Sequence, residues 1–221
     1  MDVLTLLDYL IRGLSLGSVY AIIALGYTMV YGIAKMLNFA HGDVFMAAGL
    51  IMVYLSASLP IGVALPLMIL LTVLLGFVIE RAAYKPLRSA PRMSVMISAI
   101  GVSYLLQNLA LLIYGSEQKA FPVLFTIPSV ELGGVYIDGI TIATMAVTAI
   151  IMVGLSLFIN RTRMGKAMRA CSEDRGAAQL MGINVNRTIS MTFAIGSALA
   201  AIAGVLLCST YPSLMPTTGA L

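Results

Sequence analysis

An all-α, polytopic membrane protein with about six spanning helices is what this sequence predicts, and three observations carry the prediction. Only 10% of the 221 residues are charged while 60% are hydrophobic, against about 25% charged in an ordinary soluble domain. Mean hydropathy is +1.01, so lipid must solvate much of an exterior that a soluble chain of this size would cover with polar groups. Long charge-free runs recur along the chain, separated by short clusters of basic residues. Together these exclude a secreted, nuclear or cytosolic globular protein. Cys171 and Cys208 are too few for a disulfide framework, and the single His41 cannot build a protein-only metal site.

A spanning helix needs roughly 20 apolar residues. Charge-free runs cover 13–34, 44–79, 93–116, 139–160 and 188–221. The second is too long for one crossing, since at ~1.5 Å per residue it would reach ~54 Å. Its Ser58-Leu59-Pro60-Ile61-Gly62 string supplies a break, so two spans joined by a hairpin are predicted. The last run spans to about Cys208 and then meets a turn-rich stretch containing Pro212 and Pro216. The whole of 1–221 reads as a single membrane domain.

Orientation follows from Lys and Arg in short loops. Lys35, Arg81, Lys85, Arg88, Arg92, Arg161, Arg163, Lys166, Arg169, Arg175 and Arg187 fall on one side, and only Arg12 and Lys119 on the other. That asymmetry predicts cytoplasmic loops at 35–43, 80–92 and 160–188, with the N-terminus, the 56–62 hairpin and the 115–138 loop outside. Met1-Asp2-Val3-Leu4 has no basic n-region, so no cleaved leader is expected. Cys171 and Cys208 fall on opposite faces and should not pair. The net charge of +4 is dispersed at membrane boundaries, where orientation and contact with membrane lipid explain it; no nucleic-acid partner is expected.

None of the six predicted spans contains an ionisable residue, which argues against a proton relay. Gln107 and Asn108 are the most polar residues at depth, read either as a stripe on a translocation path or as glue between helices. Gly13, Gly17 and Ala21, and likewise Gly196, Ala200 and Gly204, predict close helix packing, while Gly26 and Gly32 suggest a first helix that bends or breaks. The string Asn38-Phe39-Ala40-His41-Gly42-Asp43 interrupts two apolar runs. Asn38 or Asp43 can cap the helix that follows, and a helix N-terminus at membrane depth would offer unpaired N–H groups to an anionic or zwitterionic solute. The alternative is a short interfacial loop. Asn38, His41, Asp43, Gln107 and Asn108 are thus the candidate path residues.

The 160–188 loop is long enough for helices of its own. Arg163, Lys166 and Arg169 recur on one face. Ser172 can cap a following two-turn helix, with Glu173 and Asp174 complementing its dipole, Ala177, Ala178 and Leu180 forming an apolar face, and Gly182 taking the left-handed terminal position. A short capped helix held between two spans is a candidate docking element.

Ala177-Ala178-Gln179-Leu180-Met181-Gly182 resembles the Ala-Ala-x-x-x-Gly portion of the loop by which permeases of bacterial ATP-binding-cassette importers dock on their ATPases, although Gly176 stands where that pattern has Glu. Joined to Gly13-Leu14-Ser15-Leu16-Gly17-Ser18-Val19-Tyr20-Ala21, to Ala24-Leu25-Gly26-Tyr27-Thr28-Met29-Val30-Tyr31-Gly32, to Asn38-Phe39-Ala40-His41-Gly42-Asp43 and to Glu80-Arg81, it resembles the smaller permease of the high-affinity branched-chain amino acid importers. Urea and short-chain amide permeases are closely similar. The resemblance implies an inner-membrane, multi-pass transport subunit that is not itself an enzyme and binds no cofactor. Its implied partners are a second homologous permease, two cytoplasmic ATPases that hold ATP and Mg, and a periplasmic solute-binding protein. Glu173, Asp174, Ala177, Ala178, Leu180 and Gly182 are then the ATPase-coupling residues. Members of that family have about eight spans, so a C-terminally truncated form is expected here. An ion-coupled carrier and a non-transporting scaffold are the readings from other classes.

Overall fold

Backbone groups in lipid must be satisfied within their own segment, so each uninterrupted apolar run is a helix. A computed structural model describes residues 3–88, 90–124, 127–132 and 135–219; the first two residues, and with them the reading of the leader, lie outside these. Six helices are long and apolar enough to cross a membrane: α1 (Val3–Ala34), α2 (His41–Ser58), α3 (Ile61–Ile79), α4 (Arg92–Tyr114), α5 (Gly139–Arg161) and α8 (Val185–Thr210). α3 continues into one π-helical turn (Glu80–Tyr84), and α6 (Arg163–Glu173) and α7 (Arg175–Leu180) lie between α5 and α8.

The predicted break in the long second run falls at Leu59 and Pro60. Leu59 is extended, and Pro60 at φ −63° caps α3 in the geometry its ring imposes. The loop between α4 and α5 and the chain after α8 carry four short strands. β1 (Lys119–Ala120) pairs antiparallel with β4 (Ser213–Leu214), and β2 (Val130–Leu132) with β3 (Val135–Ile137). These ribbons lie at one end of the bundle and α6 and α7 at the other.

Two expectations for α1 fail. The helix begins ten residues before the predicted span, because Asp8 and Arg12 neutralise each other across one turn at 2.9 Å. It also runs unbroken through Gly26 and Gly32. Gly26 serves close approach: a Cβ there would lie 2.9 Å from His41 Nε2 and 3.3 Å from the Gly196 carbonyl. In the predicted stripe of Gly13, Gly17 and Ala21, a Cβ on either glycine would meet nothing within 4 Å among the described residues.

α8 is the central helix, packed against α1, α2 and α3. Its small residues act as the sequence predicts. A Cβ on Gly204 would lie 3.0 Å from the Phe45 carbonyl of α2, one on Gly196 would lie 3.0 Å from Val30 of α1, and Ala200 is fully buried. α3 approaches the same helix through Gly76, where a Cβ would lie 2.7 Å from the Ser197 Cβ. Cys171 and Cys208 are both free and buried.

Replacing Gly76 with Leu should therefore force α3 off α8, costing about 1–3 kcal/mol or more of overpacking. Gly13→Ala, with open space around it, should leave stability unchanged or slightly raised. Thermal unfolding of the two variants in detergent checks this; equal midpoints would contradict the α3–α8 contact.

Candidate functional site

α1 ends at Ala34, yet His41, the first residue of α2, packs its ring against Gly26 and lies edge-on to Tyr27 with centroids 6.2 Å apart. Gly26 stands eight residues before the end of α1, about 12 Å along its axis. The six residues after α1 therefore carry the chain back into the bundle, and α2 starts inside the span. Packing of His41 against Gly26 and Tyr27 is what the re-entrant reading of the 38–43 string calls for.

A second segment reaches the same place. After β4 the chain runs back beside α2: the Leu214 side chain lies where a Cβ on Gly49 would be 2.9 Å from it, and a Cβ on Gly219 would lie 2.7 Å from the Asp43 Cα. Gly42 faces the Gly219 carbonyl. The start of α2 is thus enclosed by α1, α4 and this returning tail.

Neither Asn38 nor Asp43 caps α2, contrary to expectation. The N-cap position is Ala40, with no side-chain hydrogen bond. Asn38 is committed elsewhere, its Oδ1 accepting from the Tyr84 hydroxyl at 2.7 Å. Asp43 turns toward α4, where Gln107 Nε2 donates to its Oδ1 at 3.0 Å and lies 3.2 Å from Ser103 Oγ. Asp43 is fully buried and His41 nearly so. Among the described residues, Asp43 Oδ2 and His41 Nε2 have no hydrogen-bond partner. The result is a helix N-terminus without a side-chain cap, enclosed by the bundle beside a buried carboxylate that has one oxygen without a partner among the described residues.

Four of the five predicted path residues are thereby assembled. Asn108 is the exception: it is exposed and donates back to the Tyr104 carbonyl at 2.7 Å, on the other face of α4. The absence of ionisable residues from the spans also needs correction. His41 and Asp43 open α2, Asp8 and Arg12 lie in α1, and Glu80 and Arg81 continue α3.

Sequence reasoning gave Glu80 only a place in a resemblance, although a lone carboxylate closing a 19-residue apolar helix was a signal. Glu80 is fully buried. It is paired with Arg88, and Ser190 Oγ of α8 donates to its Oε2 at 2.9 Å. Arg88 also donates to Asn186. Glu80 and Tyr84 share the π-helical turn, so the turn joins this ion pair to Asn38; π-helical turns often occur at functional sites.

At the end bearing α6 and α7, the short helix predicted over this loop differs in detail from expectation. Ser172 and Glu173 belong to α6, and Asp174 is the cap, accepting from the Gly176 and Ala177 amides at 2.7 and 3.0 Å. The C-terminus closes as expected at Gly182 (φ 81°), with Ile183 N–H on the Ala178 carbonyl and Gly182 N–H on that of Gln179. Ala178 is buried against its own chain, whereas Leu180 is 90% and Met181 82% exposed. Arg175 donates to the terminal α1 carbonyls of Ile33 and Ala34, a cation placed on a helix C-terminus. Burial first, and then neighbouring Arg88, lower this guanidinium from its ordinary value, and it stays charged.

The family described as "Branched-chain amino acid transport system / permease component" matches residues 9–220. The chain belongs to this family. The permease is 45% identical to the high-affinity branched-chain amino acid transport system permease protein BraD of Pseudomonas aeruginosa and 40% identical to the corresponding LivH of Escherichia coli K12. Each match covers 96% of this chain and 74% of the relative. The ribose import permease RbsC of Haemophilus influenzae is 27% identical over 96% of this chain and 64% of its own length. No solved structure matches the permease. Membership makes it a polytopic transport permease, in agreement with its six apolar helices.

Tyr84→Phe should strand the buried Asn38 oxygen and cost about 1–3 kcal/mol, while Tyr84→Phe combined with Asn38→Leu should recover much of that loss, because removing both partners leaves nothing unsatisfied. A double-mutant cycle on detergent unfolding midpoints measures it; additive losses would contradict the bond.

Proposed function

We propose that this permease and a second, related one form the path of an inner-membrane ATP-binding-cassette importer for leucine, isoleucine and valine delivered by a periplasmic binding protein. Support for the solute comes from the names of the relatives and from the chemistry of the polar centre. A zwitterionic amino acid has a carboxylate suited to the uncapped α2 N-terminus and an ammonium suited to the free Asp43 oxygen. Its aliphatic side chain would meet an apolar bundle.

The observation that carries the energy source is α7. Two large apolar side chains, Leu180 and Met181, stand almost fully exposed on a helix fixed at both ends by its own caps, at the end of the bundle where the basic residues gather. Such a surface fits a cleft on a soluble partner, here a cytoplasmic ATPase that supplies ATP and Mg. Buried Asp43 and His41 remove the argument that the spans are empty, so the ATP-driven reading rests on α7 and on family. ATPase closure would move α7 and, through Arg175, the end of α1 and the centre beyond it.

Leu180→Asp with Met181→Asp should abolish co-purification of the ATPase and reduce ATP-dependent leucine uptake by at least tenfold while the permease still inserts. Gly182→Val, strained by about 1–2 kcal/mol at its positive φ, should weaken coupling in part. Uptake by reconstituted vesicles that persists without ATP and collapses with an ionophore would overturn the reading in favour of an ion-coupled carrier.

A further inference from the structure

The basic residues at the α6–α7 end are not spread evenly. A cavity of about 440 Å³ lies between the end of α1 and the start of α4, lined by Tyr31, Lys35, Arg88, Val95, Met96 and Arg175 among others. We propose that it is a binding site for the phosphate of an anionic phospholipid, with Lys35, Arg88 and Arg175 as its cationic ligands.

Charge balance is the first argument. Three cations line the cavity and, among the described residues, no carboxylate does. The one acid nearby, Glu80, pairs with Arg88 from within the bundle, which leaves an excess of two positive charges. Arg88 uses Nη1 on Asn186 and Nη2 on Glu80, and its buried Nε has no partner among the described residues. Arg175 uses Nη2 on the α1 carbonyls, so the negative end of that helix is already covered and does not oppose an anion. Lys35 is exposed and adopts the left-handed conformation (φ 51°), unfavourable for a residue other than glycine. It lines the same cavity as both guanidinium groups.

Depth is the second argument. The cavity sits where two spanning segments end and begin, with Ala34 the last residue of one and Met93 the first of another. That is the level of lipid headgroups. Its apolar wall, Tyr31, Val95 and Met96, continues along the spans, and Tyr31 is 47% exposed. A free phosphate would satisfy the cations and leave this wall unused; a phospholipid satisfies both, and basic pockets between helices at the cytoplasmic face bind such headgroups. Because Arg175 belongs to α7, a lipid held here would tie the docking helix to α1 and α4.

The test is the unfolding midpoint of the full chain purified in detergent. Phosphatidylglycerol at roughly a hundredfold above its dissociation constant should raise the midpoint by about 5 °C or more, and phosphatidylcholine at the same concentration should not. Lys35→Gln should lose at least half of the shift and Lys35→Arg should keep it; both alter an exposed side chain and leave the Glu80–Arg88 pair intact. Equal shifts with the two lipids would show general solvation of the spans and overturn the site. So would a phosphatidylglycerol shift that survives Lys35→Gln. Inorganic phosphate at millimolar concentration that reproduces the whole shift would overturn the assignment to lipid. None of these outcomes depends on which solute the permease carries.

Discussion

A helix that begins inside a membrane leaves its first N–H groups without water and without a preceding turn to accept them. In hydrocarbon each such group costs several kcal/mol if left alone. α2 begins within the bundle, where the Asn38 carbonyl accepts from the His41 N–H at 3.1 Å and the Ala40 carbonyl from Val44 at 3.0 Å while no side chain caps the helix, and much of the surrounding bundle can be understood as accommodating it. The approach segment needs its own polar groups held, and Tyr84 holds Asn38. The acid in the first turn needs a donor, and Gln107 supplies one. Space for a chain where a helix would otherwise pack comes from Gly26 of α1 and from Gly42, each facing atoms that a side chain would displace.

That constraint also explains why α8 is central. A re-entrant segment removes part of a helix from the bundle, so the remaining elements must enclose it without one continuous neighbour. α8 does so with a face of Gly196, Ala200 and Gly204, small enough for α1 and α2 to approach it together. Phe193 on the same helix packs against Tyr84 with ring centroids 5.1 Å apart, so the hydroxyl that reaches Asn38 is positioned by the core helix. Ser190, one turn earlier, donates to Glu80. One helix thus steadies both ends of the π-helical turn.

Spans were legible in the sequence because hydropathy and length are local and lipid enforces both. The end of α1, the break at Pro60 and the ends of α5 follow from composition alone. The start of α1 was missed because an i,i+4 pair of Asp8 and Arg12 conceals its charge. Small-residue spacing identified a real packing face on α8 and, on α1, two glycines with open space around them among the described residues, since spacing says that a helix can be approached and not by what. At the polar centre the residue types were readable and their partners were not. Asn38 and Asp43 both looked like caps, and each bonds instead to a residue more than forty positions away. Asn108 and Gln107 are adjacent in sequence and on different faces of one helix, a distinction that needs the position of α2.

α7 shows the same division at smaller scale. Its C-terminus was correctly placed because a glycine at positive φ is a local requirement. Its N-terminus was displaced by two residues because Ser172 and Asp174 are both competent caps, and the choice between them depends on where α6 ends. α6 extends through Glu173 and packs Met168 and Cys171 into the core, which leaves Asp174 to start the next helix. The shift alters which side chains are available: with Asp174 as cap, Ala178 turns inward and Leu180 and Met181 turn out. The surface that α7 exposes is therefore set by the packing of the preceding helix as much as by the motif itself, and Arg175, the first residue after the cap, is brought by the same shift onto the end of α1.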